Sequence, residues 1–199
     1  MIDTVFFDWG GVIADDPGDD FLKSILRSYG ATDEQVGNIS RRYMQKFMRG
    51  LISEQNYWNA VMSEFDLNIP ESTESVFLSW QGLKTNSDVI ELVHDIKTSG
   101  RTVALLSNVI EPTYNILKSS GAYDLFDVLI ASCAEGYAKP DMDIYQLALD
   151  RAAAEGERSL FIDDKQHNLD AASKFGIKTV LASSPNQFIS EVRAALSIA

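Results

Sequence analysis

One cysteine, Cys133, is all the chain carries, so no disulfide can form within it and a reducing compartment is the expected setting. Basic residues are also scarce: 17 Lys and Arg stand against 29 Asp and Glu, a formal net charge of -12. A surface of that sign repels nucleic acid and anionic membranes, whose recognition needs an excess of Lys and Arg. An anionic substrate would have to be helped in locally, by a metal ion or a few placed cations. No apolar run nears the ~20 residues of a spanning helix. The opening MIDTVFFDWGGVI holds an acid and no basic segment, unlike a signal or transit peptide. Internal repeats and low-complexity tracts are absent as well. What these absences leave is a globular protein, expected to be cytoplasmic, with 45% hydrophobic and 23% charged residues over 199 positions. That length suits one substantial domain, or one core domain with an inserted subdomain.

Five short apolar runs read as buried strands: TVFFD, RTVALLS, DVLIAS, SLFID and KTVLA. Their apolarity is continuous rather than alternating, as a parallel sheet covered on both faces demands. Helical patterns separate the later runs, over 112–120, 141–154, 169–175 and 185–196, and another over 87–98 leads to Gly100. Alternating strands and helices predict an α/β, doubly wound parallel sheet. The first strand breaks the rhythm. Between Ile13 and Lys84 the patterns are helical, at 21–29, 33–48, 54–65 and 70–80. The expected organisation is therefore an α/β core of residues 1–14 and 85–199, with a small inserted helical cap over 15–84.

In a doubly wound sheet, ligands bind beyond the carboxyl ends of the strands. The first strand ends at Asp8, the second at Ser107-Asn108, and the fourth at Asp163-Asp164, while the third is followed by SCAEGYAKPD with Lys139. Each residue taken alone has a plain structural reading: Asp8 and Ser107-Asn108 as turn residues, Lys139 as a surface amine, Asp163-Asp164 as a helix cap. Together they are the set that phosphoryl chemistry uses. A carboxylate can attack phosphorus and carry the phosphoryl group. Mg²⁺ takes oxygen ligands and one or two carboxylates, which Asp8, Asp163 and Asp164 would supply. Ser107 can donate to a phosphate oxygen, and Lys139 can balance nucleophile and phosphate. Gly10 and Gly11 permit a sharp turn that presents a carbonyl to the metal and N–H groups to the phosphate.

The pieces FFDWGGVIAD, ALLSNV, GYAKPDMDIYQLAL and LFIDDKQHNLDAA, in that order, resemble the four motifs of the haloacid dehalogenase superfamily. The helical insert is similar to the cap of the subclass that contains β-phosphoglucomutase, phosphoglycolate phosphatase and the 2-haloacid dehalogenases. Within it, the Asp-x-Gly-x-Val first motif and Asp-Asp fourth motif look most like the α-glucose-1-phosphate phosphatase type. The resemblance implies a Mg²⁺-dependent phosphatase acting on a small phosphate ester. Asp8 would be the nucleophile, Ser107 and Asn108 the phosphate-binding second motif, and Lys139 the third-motif lysine. Asp8, Asp163, Asp164 and the Gly10 carbonyl would hold the metal.

Gly10 departs from the pattern, since most such phosphatases have there an acid that protonates the leaving group, a service worth about 10²–10⁴ in rate. Three outcomes stay open: a leaving group of low pKa, a substitute acid at Asp15 or Asp16, or a non-catalytic module that binds phosphorylated ligands. A metal-free dehalogenase is a further alternative, although an Asp-Asp pair is poorly suited to a site without a cation. Among other residues, Trp9 could shape the pocket or pack beneath the cap. Trp58, Phe65, Phe77 and Trp80 read as cap core, His167 as solvent-facing and His94 as structural. Arg41, Arg42, Lys46 and Arg49 form a rare basic cluster, readable as a substrate funnel or as a solvated helix face.

Overall fold

The computed structural model describes residues 1–15, 23, 26–67 and 84–198. The expected helix over 70–80, part of the one over 21–29, and Asp16, Phe77 and Trp80 lie outside the described residues. Five strands, β1 (Thr4–Phe7), β2 (Thr102–Ser107), β3 (Val128–Ala131), β4 (Ser159–Asp163) and β5 (Lys178–Leu181), form one parallel sheet in the order β3-β2-β1-β4-β5. The α-helices whose bounds fall within the described residues are, in chain order, α1 (Asp33–Ile39), α2 (Gln45–Met48), α3 (Glu54–Phe65), α4 (Ser87–Thr98), α5 (Glu111–Ser119), α6 (Ser132–Glu135), α7 (Met142–Arg151), α8 (Gln166–Ser173) and α9 (Pro185–Leu196).

The pleat explains why the strands read as unbroken apolar runs. Val5, Phe7, Val103, Leu105, Leu160 and Ile162 point to one face, where they meet Val89, Leu92, Val93 and Ile96 of α4 and Phe188, Val192 and Leu196 of α9. Phe6, Ala104, Leu106, Ile130 and Phe161 alternate to the other face, against Ile144, Tyr145 and Ala148 of α7 and Leu169 and Ala172 of α8. Successive side chains alternate across a strand, so a sheet clad on both sides needs an apolar residue at every position. Phe6 and Phe7 are both buried, and burial of such a side chain stabilises by about 1.5–3 kcal/mol. Helix ends carry their signals too. Asn86 accepts from the Asp88 and Val89 N–H groups, and Thr32 and Gln35 make a reciprocal capping box at α1.

Sequence and structure differ in detail at four places. The expected helix 33–48 is interrupted by a π-helical turn, Ser40–Met44, between α1 and α2. α8 starts three residues before the expected 169, directly after the fourth strand. The segment after β3 contains a short helix, α6, that its residues did not announce. His94, expected to be a packing residue, is exposed on the outer side of α4.

A third apolar cluster joins Val36 and Ile39 of α1, Phe47 of α2, Tyr57, Trp58 and Val61 of α3, and Ile110 from beyond β2. Phe47 and Tyr57 stack at 4.7 Å and Trp58 sets its edge to Tyr57 at 4.9 Å. The chain leaves β1 and returns to α4 through adjacent segments. Asn86 N–H donates to the Ile13 carbonyl (2.9 Å), Asp15 N–H to that of Lys84 (3.3 Å), and Ala14 bridges Thr85. Among the described residues no helix is long and apolar enough to cross a membrane.

Candidate active site

β1 and β4 pair Phe7 with Ile162, so the next residues, Asp8 and Asp163, leave the sheet level with each other. The Asp8 N–H donates to the Ile162 carbonyl at 2.9 Å, prolonging that pairing by one step. β2 ends at Ser107, paired with Ala131. Three strand termini thus open on one rim, and the loop after α6 brings Lys139 over it.

Lys139, Asp8 and Asp163 make a buried ionic triad. The Lys139 ammonium lies 2.9 Å from Asp8 Oδ1 and 2.6 Å from Asp163 Oδ2, and all three residues are buried. Asp8 Oδ1 also accepts the Trp9 N–H at 2.7 Å. Asp163 is held from every side: its Oδ1 accepts the Lys165 N–H (2.8 Å) and Asn168 Nδ2 (2.9 Å), and the same amide reaches Oδ2 at 3.0 Å. Tyr145 donates its hydroxyl to the Asn168 carbonyl (2.9 Å), tying this network to the apolar layer below. Asp164 completes the set, since one carboxylate oxygen each from Asp8, Asp163 and Asp164 lie within 4.8 Å of one another.

Three carboxylates and one ammonium, all ionised, leave two negative charges uncompensated. Burial pushes the Asp8 carboxyl up to about 7, the neighbouring Asp163 charge adds to the rise, and Lys139 and the Trp9 N–H oppose it. Like charges in low dielectric favour a shared proton or a cation. The donors are all carboxylate oxygens, which suit a hard divalent ion such as Mg²⁺.

Gly11 explains one of the paired glycines. Its φ is +75°, and a Cβ there would lie 2.7 Å from Asp164 Cγ and 2.8 Å from Oδ2. Only a residue without a side chain lets the turn and the acid share that space. Its N–H, expected among the phosphate donors, is already given to the Ala14 carbonyl at 2.8 Å. Asn108 grips the loop that carries Lys139. Its Nδ2 donates to the Lys139 carbonyl (2.9 Å) and its Oδ1 accepts the Lys139 N–H (2.8 Å), so the side chain fixes the lysine's backbone.

Of the weaker candidates, Trp9 is packed in the core, edge-on to Tyr123 at 5.4 Å. Asp15 and His167 are exposed. The arginines of the basic cluster have partners: Arg41 has Asn38, Arg42 has Glu64, and Arg49 has Asp141 and Gln45. Cys133 is half-buried and its thiol is pushed up to about 11 by burial, which makes it a poor nucleophile at neutral pH. Asn168, Asp141 and Ser132 were not foreseen. Asn168 was the most accessible of them, lying one helical turn beyond the acid pair in DDKQHN.

The chain is 28% identical to mouse acyl-CoA dehydrogenase family member 10 over 97% of its own length, but spans only 19% of that protein. It is 26% identical to the GMP/IMP nucleotidase YrfG of Escherichia coli, covering 96% of this chain and 87% of that one. In fold it matches a haloacid dehalogenase family enzyme of Bacteroides thetaiotaomicron, crystallised with magnesium and inorganic phosphate, with a TM-score of 0.75 at 19% identity over 92% of this chain and 96% of that one. The family-level match runs through residues 2–176, from β1 past α8 and across the whole of the acidic rim. The chain belongs to the haloacid dehalogenase-like hydrolases.

Proposed function

We propose that this chain is a Mg²⁺-dependent phosphatase that hydrolyses a small phosphorylated metabolite through an aspartyl-phosphate on Asp8. The observation that carries the reading is the convergence of Asp8, Asp163 and Asp164 around the buried Lys139 ammonium. Asp8, Asp163 and Asp164, with the Gly10 carbonyl, would hold Mg²⁺, which when bound neutralises charge on the phosphate and fixes its orientation.

The chain's own residues supply the rest. Trp9 N–H and Lys139 hold Asp8 by Oδ1, so Oδ2 attacks phosphorus. A bond forms between that oxygen and phosphorus, the bond to the ester oxygen breaks, and the departing alkoxide takes a proton from solvent water. A second water then attacks phosphorus and releases its proton to solvent, the Asp8–phosphorus bond breaks, inorganic phosphate leaves and the carboxylate is regenerated. Lys139 balances negative charge through both steps, and Ser107, buried at the end of β2, donates to a phosphate oxygen. Gly10 offers no side-chain acid, so the reading favours esters whose leaving oxygen has a low pKa. An anomeric sugar phosphate fits that requirement, in keeping with the first- and fourth-motif likeness to α-glucose-1-phosphate phosphatases.

Residues 15–84 serve in this proposal as the cap that selects the substrate, entering and leaving at the paired segments around Ala14 and Thr85. The site is expected to work in the cytoplasm. Three clustered carboxylates argue against a metal-free dehalogenase. The missing acid at Gly10 favours a second reading, a phosphate-binding module without turnover.

Hydrolysis of p-nitrophenyl phosphate, whose phenolate leaves without protonation, separates the two. Mg²⁺-dependent turnover that disappears in Asp8→Asn is expected. A folded, Mg²⁺-loaded protein with no turnover would replace the phosphatase by the binding module.

A further inference from the structure

The loop that carries Lys139 is held from two directions. Asn108 grips the lysine's own N–H and carbonyl from the core side. On the other side Asp141 closes the loop, with its N–H donating to the Ala138 carbonyl (2.7 Å) and its Oδ2 accepting the Ala138 N–H (3.2 Å). Asp141 is in turn held by Arg49, which comes from the end of α2 and is 92 positions away in sequence. Arg49 Nε lies 3.0 Å from Asp141 Oδ2, and Nη2 lies 2.8 Å from Oδ2 and 3.1 Å from Oδ1. The remaining arm is fixed by Gln45, whose carbonyl and Oε1 accept from Nη1 at 3.0 and 2.6 Å.

Two neighbouring contacts seat the same segment. Ser132, fully buried, donates to the Met48 carbonyl at 2.7 Å and accepts the Val109 N–H at 2.9 Å. Gly50, with φ +65°, lies so close to the Cys133 carbonyl that a Cβ would stand 2.0 Å from its oxygen. Neither contact involves the Arg49 side chain, which leaves the ion pair a separate task. A guanidinium gripping both oxygens of a carboxylate fixes its orientation as well as its charge.

We propose that Arg49 is a positioning residue for Lys139, acting through Asp141, so that seating of the α2 segment and placement of the ammonium are coupled. The proposal rests on the phosphatase reading only for its kinetic arm. In Arg49→Met, the amides of Ala138 and Asp141 should exchange hydrogen faster while those of β2 do not change. With p-nitrophenyl phosphate and Mg²⁺, kcat should fall about tenfold and KM change by less than about twofold, short of the ~10²-fold that a 1 Å misplacement can cost.

In an Asp141→Ala background, Arg49→Met should cause no further fall. The same fall in that background, or unchanged exchange at 138–141, overturns the proposal. If the wild type itself shows no turnover, the phosphatase reading fails, and exchange alone still decides whether Arg49 orders the Lys139 loop. Should Arg49→Met not fold, Arg49→Lys is read in the same way, because it keeps the charge but loses the two-oxygen grip.

Discussion

Gly11→Ala is the substitution whose cost can be worked from the geometry. The new Cβ would sit 2.7 Å from Asp164 Cγ and 3.0 Å from Asp164 Cβ, where ordinary contact is about 3.5–4.0 Å. Asp164 must retreat by about 1 Å, and because its Cβ is also too close, rotation of the carboxylate alone does not relieve the overlap. The backbone adds a second penalty, since φ is +75° at Gly11 and a non-glycine residue there costs about 1–3 kcal/mol.

Gly100 separates the two effects. Its φ is +82° and nothing lies within 4 Å of a Cβ built on it, so Gly100→Ala should lower the melting temperature without touching Mg²⁺ dependence. Gly11→Ala should lower the melting temperature too, and also raise the Mg²⁺ midpoint for p-nitrophenyl phosphate turnover at least about tenfold, the equivalent of ~1.4 kcal/mol. A Gly11→Ala protein with the wild-type Mg²⁺ midpoint would refute the argument that this glycine makes room for a metal-binding acid.

Further predictions concern the triad. Asp8 is pushed up from 3.8 to about 7, chiefly by burial, and a group raised on folding stabilises below its unfolded value and loses that contribution as pH rises to its folded one. The metal-free protein should therefore lose stability between about pH 4 and 7, by up to ~1.4 kcal/mol per pH unit from this group. Thermal melts check this, and a flat profile would sink it. Mg²⁺ competes with the same proton, so the rise in melting temperature that it produces should be larger at pH 8 than at pH 5.5. Asp8→Asn should raise the metal-free melting temperature at pH 8, because it removes a buried charge and leaves Asp163 paired with Lys139; a fall would contradict that account. Asn168→Ala strips both oxygens of Asp163 of a donor, and urea unfolding should show a loss of about 1–3 kcal/mol, with kcat reduced as well.

Much of the site was legible because it sits where strands stop. Asp8, Ser107 and Asp163 each end an unbroken apolar run, and a parallel sheet sends all such ends to one rim. Lys139 was legible only through its motif, since nothing local distinguishes it from a surface amine. The supporting contacts were hidden because they join distant parts of the chain. Asn108 read as part of a phosphate-binding motif, and its side-chain clamp on a backbone 31 residues away did not show in the sequence. Arg49 looked like part of a solvated basic face, and only the folded chain shows its carboxylate partner. The π-helical turn at Ser40–Met44 was illegible for another reason: its residues suit an ordinary helix, and the widened turn does not show in their spacing.

The pairing of Ala14 with Thr85 has a consequence for how such a protein can change over time. Because the outgoing and returning segments lie side by side, the sheet is indifferent to how much chain lies between them. Residues can be added, lost or replaced there without shifting the register of β1 against β2 or β4, and loop closure grows only logarithmically with length. A lineage can therefore retailor the segment proposed to select the substrate while the acids and the amine of the rim are inherited untouched.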